Sequence, residues 1–176
     1  MLSSFAGVRV LPQGDGETPS ARRETVYERD ASGLLSIAGG KYTTFRRIAL
    51  DALERLRGDL GLAALDRSPA PVPGAADPDA VVERLLLTHP SLGAASARHL
   101  ARFHGSDALE LLAPALADPS LLEPLAPGAP EVAAQVPWAR EREWALCADD
   151  VLARRTTLAS LGRADAARGR VEELLR

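Results

Sequence analysis

The stretch "SIAGGKYTTFRR", residues 36–47, marks the point at which the hydrophobic period of the chain changes. Before it, "ETVYERD" (24–30) and "LLSIAGG" (34–40) are short β-rich runs separated by a turn, which predicts two strands. After it, apolar residues recur at spacings of three and four, which predicts a helix over about 42–57 that stops near Gly58. These apolar residues are Phe45, Ile48, Ala49, Ala52, Leu53 and Leu56. Gly39-Gly40-Lys41 is therefore expected at a strand-to-helix turn.

Lys41 is the only lysine among 21 basic residues, and it directly follows the two glycines. A glycine turn lets the backbone approach a ligand closely, and the following helix offers free N–H groups to an anion or to an electron-rich ring edge. Thr43 and Thr44 are candidates to cap the helix or bind the ligand. The alternative is a plain turn with a solvated lysine. The spacing fits neither a P-loop nor a dinucleotide fingerprint.

The residues upstream of this turn predict a third strand. "FAGVRVL" (5–11) is an apolar run, and "QGDGETPS" (13–20) has the composition of a turn. A sheet of three short strands leaves its edges open and cannot bury both faces. The first part of the chain is therefore expected to be a remnant of a larger sheet.

The residues downstream predict a helical domain. The Pro- and Ala-rich stretch 58–76 is typical of a linker, and Asp77-Pro78 is a strong helix start. Further helices are expected from Ser91 to His104, from Ser106 to about Leu112, from Pro137, near Asp149-Asp150 and over about 164–175. The predicted fold class is mainly α: a small β-strand remnant of an α+β domain over 1–57, the linker, and a helical domain over 77–176.

Composition and charge exclude several classes of function. The net charge of −3 and the pI of about 5.7 argue against a general nucleic-acid surface. One cysteine allows no intrachain disulfide, and no apolar run is long enough to predict a membrane span. The three histidines are spaced ten and five apart, which does not suit a metal pair on one helix, so no metal site is predicted.

Other conspicuous residues of the helical part are expected to have structural roles. Trp138 and Trp144 are predicted to anchor its core, and Cys147 to be a small buried side chain on a helix. Arg154-Arg155 is predicted to bond helix ends or acidic residues such as Asp149 and Asp150.

Several motifs, taken in order, resemble the carboxyl-terminal part of the FAD-dependent glycerol-3-phosphate dehydrogenases. "FAGVRVLP" is similar to that family's AG(L/V)RPL segment, and "ARRETVYERDASGLLSIAGGKYTTFRR" to its SRD and GGKxTT(Y/F)R segments. "WAREREWALCADDVLARRTTLA" (138–159) resembles its helical tail, where an acidic pair precedes Arg-Arg-Thr. The resemblance covers nearly the whole chain, although nothing in it is similar to the family's GxGxxG FAD-binding unit.

The resemblance implies that residues 1–57 are the remnant of an FAD/substrate domain, and it implies roles for individual residues. Arg9 and Arg23 would bind the substrate, Arg9 at its phosphate end. Lys41 would be the catalytic-site lysine facing the substrate beside the flavin, where an ammonium fits without the width of a guanidinium. The backbone of Gly40, Lys41, Tyr42 and Thr43 would contact the flavin ring.

The resemblance also implies an activity, namely oxidation of glycerol 3-phosphate to dihydroxyacetone phosphate, with electrons passing to a quinone or to oxygen. This chain alone would be inactive and is not expected to hold FAD. The implied location is cytoplasmic, with a peripheral contact on the inner face of the membrane and a homo-oligomer left open. The alternative is a non-catalytic helical interaction module that docks an acidic partner or an anionic membrane through a basic face from Arg154 to Arg176.

Overall fold

Two antiparallel strands and the helix that follows them form the first part of the fold. A computed structural model of the chain describes Ser4, Ala6, Gly7 and residues 24–176. Strand β1 (Thr25–Arg29) pairs with β2 (Leu35–Gly39), with Thr25 opposite Gly39 and Arg29 opposite Leu35. Both strands were predicted. The predicted strand at 5–11 falls largely outside the described residues, which contain a two-stranded sheet only.

The turn between the strands is organised by Asp30. Its Oδ1 accepts hydrogen bonds from the Ser32 hydroxyl at 2.6 Å, the Ser32 N–H at 2.8 Å and the Leu34 N–H at 3.1 Å. The Ser32 hydroxyl, together with these backbone donors, lowers the pKa of the Asp30 carboxyl. The side chain therefore closes the turn by bonding its own backbone, as aspartate commonly does in loops.

Helices account for most of the remaining described residues, which makes the fold mainly α. After a 3-10 turn (Tyr42–Thr44), the α-helices in chain order are α1 (Phe45–Leu56), α2 (Pro78–Thr88), α3 (Ala94–His104), α4 (Asp107–Leu111), α5 (Gln135–Arg142), α6 (Ala148–Asp150) and α7 (Ala164–Leu174). Two 3-10 turns (Ala113–Leu116 and Pro119–Leu122) follow α4, and a π-helical turn (Val151–Arg155) follows α6. None of the helices in the described residues is long and apolar enough to cross a membrane.

The described residues fall into two compact units, divided between Ala70 and Pro71. We call residues 24–70 the hairpin unit and residues 71–176 the helical unit. In the helical unit α2 packs against α3 and α4, around a cluster that includes Val81, Leu85 and Leu100. A second buried cluster joins α5, α6, the π-helical turn and α7, and includes Leu152 and Val171.

Local capping chemistry explains where the predicted helix ends are correct. The Asp77 carboxylate accepts from the Asp79 N–H at 3.1 Å, and Pro78 occupies the first position of α2. Gly105 ends α3 with a φ of +59°, and a Cβ there would lie 1.9 Å from the Gly74 carbonyl oxygen. No other residue fits at that crossing of two backbone segments.

Other helix ends were predicted wrongly. Helix α3 begins at Ala94 rather than Ser91, because the Leu92 N–H bonds back to the His89 carbonyl at 2.9 Å and forms a turn there. Helix α5 begins at Gln135, two residues before Pro137. Ser106 precedes α4 as predicted, but its side chain makes no capping bond.

Candidate functional site

The turn at Gly39-Gly40-Lys41 joins β2 to the 3-10 turn, as the sequence predicts. Gly39 and Gly40 have φ of +78° and +76°, a conformation that side chains rarely adopt. A Cβ on Gly40 would also lie 2.6 Å from Ile48 Cδ1 and 2.9 Å from Thr25 Oγ1. Glycine is therefore required at position 40 by both conformation and packing.

Lys41 leaves this turn in extended conformation and caps the helical segment with its backbone. Its carbonyl accepts the Thr44 N–H at 3.0 Å and the Thr44 hydroxyl at 2.9 Å. The Thr44 hydroxyl is thus used to close the turn, whereas Thr43 is exposed. The N–H groups of Tyr42 and Thr43 open the helical segment, so no earlier helical turn supplies an acceptor for them. They are available to an anion or to a ring edge.

An open cleft of about 530 Å³ lies beside the turn. Thr44, Arg47, Ile48 and Asp51 line one side, at spacings that place them on one face of the helical segment. The rest of its lining consists of Glu24, Thr25, Tyr27 and Lys41. The Tyr27 hydroxyl donates to the Ile48 carbonyl at 3.2 Å and the Arg55 guanidinium lies 4.4 Å from the Tyr27 ring centre, so this wall is held in place.

The charges in the cleft leave Lys41 available for a ligand. Arg47 lies 3.7 Å from the Asp51 carboxylate, which Arg67 also approaches at 3.7 Å. The Lys41 ammonium is exposed and has no hydrogen bond or ion pair to any residue that the structure describes. Lysine is a compact, mobile point charge that suits phosphate or hydroxyl oxygens at an open site.

The predicted site residues are only partly within the described part of the chain. Gly40, Lys41, Tyr42 and Thr43 are adjacent at the turn, with Gly40 buried and the other three exposed. Arg9 and Arg23 lie outside the described residues. The cleft residues Arg47 and Asp51 were not predicted as site residues. Their spacing of three and seven from Thr44 was the available signal, because residues at these spacings share one helix face.

The acidic pair and Arg-Arg-Thr of the tail have a structural role in this fold. Arg154 bonds the Asp150 carboxylate at 2.7 Å, as predicted, and Arg155 donates to the Glu143 carbonyl at 2.8 and 3.0 Å. Asp150 in turn accepts from the Leu146 N–H at 2.9 Å, and this bond is the main cause of its lowered pKa. These residues therefore hold the start of α6 and the π-helical turn together.

Two predictions for the tail segment are wrong. Trp144 is 85% exposed and has a φ of +58°, so it lies in a tight turn after α5 and outside the core. Cys147 is exposed and precedes α6 as its N-cap. Trp138 does pack against the core, as predicted, and its Nε1–H donates to Glu143 at 3.2 Å.

The three histidines lie in the helical unit, where none belongs to a metal-binding group among the described residues. His104 is the most perturbed, because burial, and next the nearby His99, lower its pKa to about 4. The Gln135 carbonyl oxygen accepts from the Val132 N–H at 3.0 Å, so its amide nitrogen faces His104 Nε2 at 3.2 Å. His104 Nε2 is therefore an acceptor, and the ring is neutral with its proton on Nδ1.

The sequence of this chain is similar to those of known proteins. The model of a family described as the C-terminal domain of alpha-glycerophosphate oxidase matches residues 68–176. A glycerol-3-phosphate dehydrogenase of Synechocystis sp. is 30% identical over 89% of this chain, and an aerobic glycerol-3-phosphate dehydrogenase of Escherichia coli is 35% identical over 87%. A D-erythritol 1-phosphate dehydrogenase of Brucella abortus is 34% identical over 89%. The chain covers 30%, 32% and 32% of these relatives, about a third of their length.

From these matches, the helical unit is a carboxyl-terminal domain of the kind found in oxidoreductases of glycerol metabolism. The chain belongs to the family of the C-terminal domain of alpha-glycerophosphate oxidase. The resemblance inferred from the sequence motifs is thereby confirmed, and FAD is the cofactor that the family implies.

Proposed function

We propose that this chain is the carboxyl-terminal portion of a flavin-dependent dehydrogenase that oxidises glycerol 3-phosphate to dihydroxyacetone phosphate. The observation that carries the proposal is the Lys41 cleft, in which an ammonium that no described residue pairs lies beside two glycines of positive φ and the opening N–H groups of a helical segment. FAD, when bound, would accept the hydride that the substrate carbon loses. The family match and the dehydrogenase relatives support this reaction class.

Each part of the turn has a role in the proposal. The Lys41 ammonium binds and orients a substrate oxygen, together with Arg9 and Arg23. The N–H groups that follow Gly40 meet the electron-rich edge of the flavin ring, because a turn without side chains allows that approach. The residues present fit one edge of the ring only. The adenosine and pyrophosphate would be held by a βαβ unit of the kind marked by GxGxxG, which this sequence lacks.

The chain by itself is therefore proposed to be inactive and free of flavin. Purified protein should be colourless and show no flavin absorbance. Flavin that remains bound in a stoichiometric amount after gel filtration would contradict this part of the proposal.

A chimera tests the role of Lys41. The chain is joined to the amino-terminal two thirds of the Escherichia coli relative, and flavin content and steady-state kinetics are measured. Lys41→Ala removes a charge-assisted hydrogen bond, so kcat/KM should fall about tenfold to a hundredfold while flavin content stays the same. Lys41→Arg should not restore activity, because the guanidinium is wider and planar.

Arg46→Ala is the matched control for this experiment. Arg46 lies on the same helical segment, but its guanidinium donates to the Arg67 carbonyl at 3.1 Å and does not line the cleft. It should leave kcat/KM unchanged. Full activity in Lys41→Ala would remove the lysine from the site, and full activity in Lys41→Arg would mean that charge alone matters.

The substrate proposal is tested against a second polyol phosphate. The Brucella abortus relative is named for D-erythritol 1-phosphate and is about as similar to this chain as the Escherichia coli relative. Comparing kcat/KM of the chimera for the two phosphates decides between them.

The acceptor, the location and the assembly of the enzyme are further proposals. The proposed electron acceptors are quinone and oxygen. The proposed location is a peripheral site on the inner face of the membrane, and the proposed assembly is a homo-oligomer. Acceptor-dependent turnover, membrane fractionation and light scattering test them.

The alternative of a basic docking face has less support. Between Arg154 and Arg176 most of the arginines are already engaged within the helical unit. Arg168 bonds Asp149 at 2.7 Å and Arg170 bonds Glu173 at 2.8 Å, while Arg163 donates to the Gly128 carbonyl. Because these guanidinium groups already have partners, a docked acidic surface would have to displace them.

A further inference from the structure

A second cleft, of about 340 Å³, lies in the helical unit and is lined by two arginines. Arg98 and Arg102 are four residues apart on α3, so they lie on one face of that helix. Both side chains are exposed, and neither has a hydrogen bond or ion pair to a described residue. His99, Phe103 and Thr157 complete the lining. The cleft therefore presents two guanidinium groups that no described residue pairs, beside the His99 ring and Thr157.

A buried acid lies behind this cleft. Glu131 is completely buried, and its Oε1 accepts from the Thr157 N–H at 3.2 Å and from the Thr157 hydroxyl. Among the described residues its Oε2 has no hydrogen-bond partner, and neither does His99 Nε2, which lies 4.0 Å from Glu131 Oε1. Buried polar atoms are rarely left unpaired in folded proteins, so each unpaired atom calls for an explanation.

A bound anion would account both for the unpaired atoms of His99 and Glu131 and for the two arginines of the cleft. The His99 ring lines the cleft, and its Nε2 faces Glu131. A neutral imidazole cannot compensate the buried carboxylate, whereas a protonated one would. An anion bound in the cleft adds negative charge beside the His99 ring. It therefore favours the imidazolium, which would pair with the carboxylate.

We propose that this cleft is a phosphate-binding site, in which Arg98 and Arg102 hold a phosphate group and His99 forms its floor. The ligand class is inorganic phosphate or a small soluble phosphomonoester, because two guanidinium forks match the oxygens of a dianion. This site consists of residues of the helical unit and shares none with the Lys41 cleft, so it goes beyond the proposed function. Binding is accompanied by proton uptake at His99.

The charged groups around His99 determine whether phosphate binding raises or lowers the proton affinity of its imidazole. Burial lowers the pKa of His99, and Glu131 raises it. On the same helix, Arg98 and Arg102 line the cleft with the ring, and His104 lies close enough for His99 to lower its pKa. The arginines and any charge on His104 oppose protonation of His99. A phosphate dianion offsets the arginines and raises the proton affinity of the imidazole.

The first test is a titration of the whole 176-residue chain with inorganic phosphate, followed by NMR at constant ionic strength. Amide signals of His99, Phe103 and Thr157 should shift and saturate, and chloride should not produce the same shifts. In Arg98→Ala/Arg102→Ala the affinity should fall about tenfold or more. The matched control, Arg84→Ala/Arg176→Ala, removes the same charge elsewhere and should bind as the unmodified chain does. Shifts that do not saturate, or that persist in the Arg98/Arg102 variant, overturn the proposal.

Further arms separate this site from the Lys41 cleft and from lipid. Lys41→Ala should leave phosphate binding intact, and loss of binding in that variant would assign the ion to the Lys41 cleft and overturn the proposal. Glycerol 3-phosphate should bind where phosphate does and glycerol should not. Vesicles of phosphatidylcholine with phosphatidic acid should not retain the chain through the arginines. Retention that depends on Arg98 and Arg102 would mean a membrane contact rather than a small-molecule site.

Calorimetry tests the coupled proton. Phosphate itself exchanges protons near pH 6, so the unmodified chain is compared with His99→Asn, in which the contribution of the ion is the same. Proton uptake on binding, measured as the dependence of the heat on the ionisation enthalpy of the buffer, should be smaller in His99→Asn, while Arg98 and Arg102 still bind the ion. Equal proton uptake in the two proteins would exclude His99 as the proton acceptor and overturn that part of the proposal.

Discussion

The hairpin unit and the helical unit differ in how they bury apolar side chains. In the described part of the hairpin unit, Ala52 is the only buried hydrophobic residue, and large side chains such as Leu34, Tyr42 and Phe45 are more than half exposed. The helical unit has two buried clusters, with Leu85, Leu100, Leu158 and Val171 fully buried. An exposed apolar face of the first kind is typical of a surface that other protein covers. The helical unit has an interior of its own, whereas the hairpin unit carries the candidate catalytic cleft with little core beneath it.

The largest expected effect comes from separating the two units. A fragment 71–176 should unfold cooperatively, since both buried clusters lie within it. A fragment 24–70 should show no cooperative transition, because a hairpin and one helix bury too little apolar surface to offset the entropy of folding. Thermal unfolding followed by circular dichroism measures both. A gradual loss of helix in 71–176 would contradict the conclusion that the helical unit has a core of its own.

A pair of leucine substitutions tests the same difference within the whole chain. Leu85→Ala should lower the free energy of unfolding by about 2–5 kcal/mol, since it leaves a cavity in a fully buried cluster. Leu34→Ala, in the hairpin unit, removes a side chain that is 64% exposed and should change it by less than about 0.5 kcal/mol. Urea unfolding monitored by circular dichroism gives both values. Equal losses would mean that Leu34 is covered in solution.

Local and long-range features of the fold differ in how much the sequence could predict. Features set by neighbouring residues were predicted correctly: the strands on either side of the Asp30 turn, the Asp77-Pro78 start and the Gly105 end. Features set by distant residues were not. The contacts of His99 with Glu131 and of Glu131 with Thr157 join residues 32 and 26 positions apart, and no local pattern reports them. Trp144 was wrongly assigned to the core because the sequence shows a large hydrophobic residue after a helical run but does not show the turn of its backbone, which has a positive φ.

The same division applies to the candidate site. The glycine turn and Lys41 were predictable, because the change of hydrophobic period locates a strand-to-helix turn and two glycines allow its conformation. The rest of the cleft required the helix face that carries Arg47 and Asp51, and that face is defined by where the strands lie. Arg9 and Arg23 entered through motif resemblance alone, and their place at the site stays a prediction.

Acid sensitivity should arise mainly in the helical unit. The pKa of His104 falls from an ordinary 6.5 to about 4, and the pKa values of His89 and His99 are also lowered, chiefly by burial. Below pH 6.5 the unfolded chain takes up protons that the folded chain does not. Stability should therefore fall as the pH drops from about 6.5 to 4, and His104 should account for at most about 3 kcal/mol of the loss.

His104→Gln is the control for the acid effect. Its side-chain carbonyl can still accept from Gln135, but the residue does not titrate. Urea unfolding at pH 7 and pH 4.5 should show a smaller difference for His104→Gln than for the unmodified chain. An identical pH dependence in both would mean that His104 is protonated in the folded state.

The smallest expected effect concerns an exception to the comparison, the exposed Trp144 of the otherwise well-packed helical unit. Trp138→Ala should destabilise the chain by about 2 kcal/mol, since the indole packs against the core and donates to Glu143. Trp144→Asn should change stability by less than about 0.5 kcal/mol, or raise it slightly, because the indole is 85% exposed and asparagine tolerates a φ of +58° better than tryptophan does. Urea unfolding of the two variants gives the comparison. A clear loss of stability in Trp144→Asn would show that the indole is covered in solution, by a second copy of the chain or by the hairpin unit, and the contrast between a self-contained helical unit and an uncovered hairpin unit would no longer hold.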